Sequence, residues 1–277
     1  MANHVNENVF MYSWYLDAVS NNWGAVMDNE YKNVFPVTYT SKLGVKQFHQ
    51  AMFTRHFDLI GDKLSMDKVL KLLGEEFKLV QFRSEVNFEG IQEREKRLFQ
   101  SVNLKEDYES RYSKNAKRLI KKSSKAYTYV RVNCVDELIS LVKTNVAHKI
   151  KEFTPENIEK LKTLMINGFE NNKGETLAVL EAGEIVAAGF FLQDKSRVTY
   201  LKGASNQSAK KNGAMYGLMD FAFDLYKEDF SIFDFGGSNI ANVALFYKKF
   251  GAVDNSYYNY TINDLPLWFN LLKKLKR

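Results

Sequence analysis

The chain has 277 residues, 45% of them hydrophobic and 14% aromatic, with a formal net charge of +6 and one cysteine, Cys134. A single cysteine excludes an internal disulfide and any multi-thiolate zinc site, and His4, His49, His56 and His148 show no metal-ligand spacing. With only 3 prolines and no low-complexity tract there is no disordered linker, so the length reads as two packed domains of about 130 to 140 residues each. Residues 1–8 hold neither a basic n-region nor an apolar run. Nowhere do about 18 apolar residues follow one another, so the expectation is a cytoplasmic protein without a membrane span.

In chain order, Phe10, Trp14, Leu16 and Val19 have helix spacing over Val9–Ser20, and Trp23–Met27 reads as a strand ending in a turn at Asp28-Asn29. Tyr31–Tyr39 and Leu43–Met52 form a hairpin around Ser41-Lys42-Leu43-Gly44, with Pro36 marking an edge strand or bulge. Met66–Leu73 is helical with Gly74 as its stop, Phe77–Phe82 and Lys96–Val102 are strands, and Asp107–Lys125 reads as one long helix. The order then begins again with a strand at Tyr127–Val132 and helices at Val135–Val146 and Thr154–Gly168, the latter opened by Thr154-Pro155. Strands at Thr176–Glu181, Ile185–Gln193 and Val198–Ala204 follow, then a helix at Ala209–Tyr226, a strand at Ser231–Phe235, a helix at Ile240–Phe250 and a pair of strands within Val253–Ile262. Leu267–Lys276, after Pro266, is a terminal helix.

The most informative stretch is Ser231–Ala252, a buried strand, a Gly236-Gly237 turn and a short amphipathic helix stopped by Gly251. A strand ending in two glycines lets backbone amides approach a ligand, and the first turn of the following helix offers unpaired N–H groups. Asp234 alternates with Phe233 and Phe235, so its carboxylate faces the other way and is placed to orient an amine or to cap the turn. From Asn103 to Ala126, Lys105, Arg111, Lys114, Lys117, Arg118, Lys121, Lys122 and Lys125 face only Glu106, Asp107 and Glu109. Arg111, Lys114, Arg118, Lys121 and Lys125 recur at helical spacing, as a phosphate-contacting stripe or as a solvated face.

The corner Phe246-Tyr247-Lys248-Lys249-Phe250-Gly251-Ala252 resembles the Leu-Tyr-x-x-x-Gly-Phe helix of the GNAT (GCN5-related N-acyltransferase) superfamily. Phe233-Asp234-Phe235-Gly236-Gly237, followed by Phe246 and Phe250-Gly251, is similar to the Fem peptidyltransferases that build peptidoglycan interpeptide bridges. Trp23-Gly24, Pro36 before the Gly44 turn, and Tyr112–Lys122 extend the likeness to nearly the whole chain. Where that family usually has Phe-Lys-Lys-Gly-Phe-Gly, its first lysine falls on Tyr247 here. The resemblance implies an α/β fold with mixed sheets, two tandem GNAT-like domains of the acyl-CoA N-acyltransferase fold. The expected boundaries are 1–126, ending in the basic helix, 127–264, and a helix 265–277 packing back on the first domain.

It further implies Tyr247 as general acid for the leaving group and Lys248 as the cation at the oxyanion, beside the Asp234 carboxylate that the strand pattern offers to orient the amine or cap the turn. The pyrophosphate cradle of acyl-CoA-dependent GNAT enzymes would fall on Lys210, Asn212, Gly213 and Ala214, with Met215 in place of the last small residue, and the donor would also meet Gly236, Gly237, Ser238 and Asn239. Lys42 and Arg55 are placed at the acceptor, and Arg111, Lys114, Arg118 and Lys121 on a tRNA. The expected activity is N-acyl or aminoacyl transfer to an amine of a cell-envelope precursor, nucleotide-linked or small, from acyl-CoA or aminoacyl-tRNA, with no tightly bound cofactor. The alternatives are an acetyl-CoA-dependent N-acetyltransferase and a non-catalytic GNAT-like nucleotide- or RNA-binding protein.

Overall fold

The computed structural model of the protein describes residues 8–61, 65–89, 91, 93–147, 150–237 and 240–269. They form α1 (Ser13–Val19), β1 (Trp23–Met27), β2 (Val34–Lys42), β3 (Val45–His49), α2 (Met66–Glu76), β4 (Leu79–Ser84), β5 (Glu93–Asn103), α3 (Lys114–Ser123), β6 (Thr128–Arg131), α4 (Val135–Asn145) and α5 (Pro155–Glu170). There follow β7 (Gly174–Glu181), β8 (Glu184–Gln193), β9 (Arg197–Ser205), α6 (Gln207–Lys211), α7 (Ala214–Tyr226), β10 (Ile232–Asp234), α8 (Ala241–Lys248) and β11 (Val253–Asn263). Several helix starts are fixed by side-chain caps. Ser65, Ser113, Thr154 and Asn206 each accept a hydrogen bond from the backbone N–H three residues on, and Pro155 occupies the first turn of α5, where its missing N–H costs nothing.

The chain divides into two compact units, Met1–Arg97 with Ser256–Arg277, and Leu98–Asn255. The sequence reading placed the boundary at Ala126 instead. The hydrophobic contacts explain the earlier division: Val102, Leu104, Tyr108 and Tyr112 are buried in the same core as Phe223, Phe233 and Phe250, so the segment carrying the basic helix packs into the second unit.

In the first unit the strand order is β1-β2-β3-β4-β11, antiparallel except for β3 and β4, which are parallel and joined through α2. Its core is aromatic, with Phe35, Phe48, Phe57, Phe82 and Tyr260 all fully buried. Pro36 lies in the part of β2 that pairs with β1 and precedes the part that pairs with β3, so β2 is not an edge strand. Gly74 does not stop α2, which runs on to Glu76. No neighbouring atom crowds this glycine, and one glycine in a helix costs only about 1 kcal/mol. Leu267–Phe269 begin a helix with Phe269 buried, and the rest of the expected terminal helix lies outside the described residues.

In the second unit the order is β5-β10-β9-β8-β7-β6, with β9 and β10 parallel and the other described pairs antiparallel. Both units thus contain a hairpin, a helical crossover and a parallel strand. Consecutive strand residues face opposite sides. Phe190 meets Phe169 of α5, while Phe191 meets Tyr226 of α7 and Phe233 of β10, so α5 lies on one face of this sheet and α7 on the other.

Three elements differ from the sequence reading. Asp107–Lys125 is not one helix: Tyr112 is extended, with its ring 5.5 Å from that of Phe250, and Ser113 caps a separate α3. Ala209–Tyr226 is divided into α6 and α7 by Gly213 at φ +84°, a conformation that breaks helix propagation. Val253–Asn263 is one strand rather than two, because Asp254 and Asn255, which suggest a turn, are held extended by hydrogen bonds from Gln100 (2.9 Å) and to Ser101 (2.9 Å) on β5.

Candidate active site at the end of β10

β9 and β10 pair only over Arg197–Thr199 and Ile232–Asp234. β9 then continues to Ser205, whereas the chain after β10 turns away at Gly236 and Gly237, with φ of +74° and +85°. The strands therefore part beside Tyr200 and Phe235. A Cβ on Gly236 would stand 2.8 Å from the Tyr200 carbonyl oxygen, so glycine is required there by both conformation and space. The Gly236 N–H donates to Asp234 Oδ1 at 2.8 Å and is consumed within the turn, while the Gly237 N–H has no partner among the described residues. Ser238 and Asn239 lie outside the described residues.

Asp234 is fully buried and its Oδ2 pairs with Arg197 at 2.7 Å. The bond it accepts from the Gly236 N–H is that of a turn cap, one of the two roles open to it in the sequence. Tyr247 projects from α8 and stacks on Phe235 with ring centroids 4.3 Å apart. Burial, and then the negative charge of Asp234, push its phenol far above the ordinary range, so it keeps its proton.

Tyr200 arises from a bulge. Phe191 stands opposite Tyr200 but Phe190 opposite Lys202, leaving Leu201 extra and sending Tyr200 and Lys202 to opposite faces of the sheet. The Tyr200 ring lies over the cross-strand pair Gly189 and Gly203, where a Cβ at Gly203 would collide with its hydroxyl. Burial, and then Tyr247, raise this phenol as well. Neither the Tyr200 nor the Tyr247 hydroxyl has a hydrogen-bond partner among the described residues, so two protonated phenols stand at the parting strands.

The other expected site residues are placed as follows. Lys248 lies on the exposed face of α8 and pairs with Asp254 at 2.6 Å. That bond, and then the one from Gln100, hold the Asp254 carboxyl below its usual range. Lys210 is exposed on α6, Asn212 accepts a hydrogen bond from Lys122 at 2.8 Å, and Ala214 is buried. A Cβ on Gly213 would meet Leu119 of α3 at 3.1 Å, so α3 packs against this turn on the side a Gly213 side chain would take. Arg111 lies outside α3 and pairs with Glu106, whereas Lys114, Arg118 and Lys121 are exposed on α3.

In the first unit, Lys42 is exposed at the tip of the β2–β3 hairpin. Arg55 is 5% exposed and pairs with Glu85 at 3.0 Å, within a buried cluster that includes His56, Asp58 and Ser84. Burial favours protonation of Asp58, but the charge and hydrogen bond of His56, with the bond from Ser84, outweigh it and hold the carboxyl below its usual range. Arg55 is therefore occupied inside its own unit.

Lys202, on β9, is a charged residue in a largely apolar strand that was not among the expected site residues. Its ammonium stands 4.2 Å from the centroid of the Phe153 ring, and burial pushes it down to about 8. The strand Val198–Ala204 is otherwise apolar apart from Thr199, so the rule that singled out Asp234, a charge in a buried strand, applies to it equally. The lowered value carries a stability prediction. Below about pH 8 the ammonium is charged in both the folded and the unfolded chain, and burying it costs up to about 3 kcal/mol. Between that value and the ordinary 10.5 the unfolded chain binds more protons, so rising pH relieves the cost. Lys202→Met should accordingly be more stable than wild type at pH 7, with the difference shrinking by pH 9.5 in urea titrations. A pH-independent difference would contradict the assignment.

No protein-family model and no curated protein matches the chain. Among solved structures it is similar to FemX, at 11% identity and a TM-score of 0.72, over 94% of this chain and 94% of that one. It is also similar to the L-PGS of Bacillus licheniformis, at 14% identity and a TM-score of 0.59, over 94% and 93% of the two chains. A tandem GNAT protein from the clavulanic acid biosynthesis pathway matches at 7% identity and a TM-score of 0.50, over 91% and 87%. Among the described residues, no helix is long and apolar enough to cross a membrane. The chain thus has the double GNAT-like fold, the fold it shares with FemX.

Proposed function

We propose that this chain transfers an acyl or aminoacyl group to an amine where β9 and β10 part. The observation that carries the reading is the pairing of that opening with two unpartnered phenols, Tyr200 and Tyr247. In this reading the amine lone pair attacks the donor carbonyl, and the Gly237 N–H is the backbone donor available to the developing oxyanion. Tyr247 gives its proton to the leaving oxygen or sulfur as the carbonyl–leaving-group bond breaks, and the proton lost by the amine passes to solvent.

Two features favour aminoacyl-tRNA over acyl-CoA as donor. α3 packs Leu119 against Gly213 of the α6–α7 turn that would cradle a pyrophosphate, and the same helix presents exposed Lys114, Lys117, Arg118, Lys121 and Lys122. The acceptor in this reading is the amino group of a cell-envelope precursor, in keeping with the Fem-like corner. The test is transfer of a labelled aminoacyl group from charged tRNA, in parallel with labelled acetyl-CoA, to amine-bearing precursors. The expected result is product from tRNA alone. Product from acetyl-CoA alone would replace the donor, and tRNA binding without product from either donor would leave a binding protein.

A further inference from the structure

The loop from α4 to α5 brings Phe153 over Lys202 on the face of the sheet away from Tyr200. The Phe153 N–H donates to the Ile150 carbonyl at 3.0 Å, and the next residue, Thr154, caps α5. Asn157 fixes the same loop by donating to the Glu152 carbonyl at 2.8 Å. Lys202 itself is part-buried, and among the described residues its interaction is with that aromatic ring, with no carboxylate paired to it. The charged pair nearest along β9, Arg197 with Asp234, satisfies itself.

A partly desolvated ammonium with only a ring face as partner is under-compensated, because a cation–π contact returns less than the lost hydration. An arriving anion would recover Coulomb energy at reduced dielectric, where such a contact is worth more than at an open surface. We propose that Lys202 is a specificity residue that takes an oxyanion of the acceptor, a carboxylate or a phosphate, with the apolar part of the acceptor lying along Phe153. The proposal rests on the transferase reading for naming the ligand an acceptor. The acceptor class that follows is an amine that also carries an anionic group, rather than a simple alkylamine.

The test first uses the wild-type protein with no acyl donor. Lysines are acetylated with a neutral N-hydroxysuccinimide ester and their rates read by peptide mass spectrometry. Inorganic phosphate or acetate is added at constant ionic strength, with chloride as the reference. Labelling of Lys202 should slow several-fold with one or both anions, while exposed Lys210 and Lys195 do not respond. Protection by phosphate alone assigns a phosphate-bearing ligand, by acetate alone a carboxylate, and by both an oxyanion of either kind. No protection, or equal protection of the surface lysines, overturns the proposal. In the transfer assay Lys202→Met should raise the acceptor KM at least tenfold with little change in kcat, and Lys202→Arg should restore it. Loss of transfer with every donor while anion protection persists would count against the transferase reading and leave the oxyanion site standing.

Discussion

Replacing Tyr247 by Phe is expected to lower kcat by about 10²- to 10⁴-fold, the range of a positioned general acid, with little change in substrate KM. The substitution removes one oxygen and keeps the ring, so the stack on Phe235 at 4.3 Å and the buried cluster of Phe223, Phe235 and Phe250 remain. Melting temperature should therefore move little, which separates a chemical defect from an unfolded variant. The raised phenol also fixes the sign of the pH dependence. An acid works while protonated, and Tyr247 stays protonated beyond the ordinary tyrosine value near 10, so activity due to it persists through that pH. Tyr200→Phe should cost less, since its hydroxyl is held over Gly189 and Gly203 rather than over the turn. Unchanged turnover in Tyr247→Phe would remove Tyr247 from the chemistry, whereas an activity loss centred near pH 10 that vanishes in that variant would keep it as the acid but contradict the raised phenol.

Much of the architecture could be read from local signals. Trp23–Met27 needed only its apolar run before Asp28-Asn29, and α5 needed only Thr154-Pro155. The hairpin β7–β8 was marked by Ala182-Gly183, both of which adopt positive φ. The errors arose where a distant contact overruled a local period. Arg111 fits the 3.6-residue stripe of α3, yet the burial of Tyr112 against Phe223 and Phe250 pulls that residue out of the helix. In the site, the parting of β9 and β10 followed from Gly236-Gly237, because two consecutive left-handed residues cannot extend a strand. The bulge at Leu201 had no such marker. It depends on register against β8, and register places Tyr200 on the phenol side and Lys202 beneath Phe153.

Arg197→Met is expected to destabilise the protein by about 3–5 kcal/mol, and Asp234→Asn by about 1–2 kcal/mol, although both break the same 2.7 Å pair. The asymmetry follows from burial. The Arg197 side chain is a quarter exposed, so after Asp234→Asn its guanidinium can recover water, and the amide oxygen still accepts from the Gly236 N–H. The Asp234 side chain is 0% exposed, so Arg197→Met strands a carboxylate inside the sheet without its cation. Urea denaturation at neutral pH measures both values. Acidification should shrink the deficit of Arg197→Met, because protonating the stranded carboxyl removes the charge that destabilises it. The Asp234→Asn change should also lower the titration point of Tyr247, whose phenol loses a nearby negative charge, and ultraviolet titration can follow that shift. An Asp234→Asn cost equal to or above that of Arg197→Met would mean that the carboxylate is not the costly member of the pair.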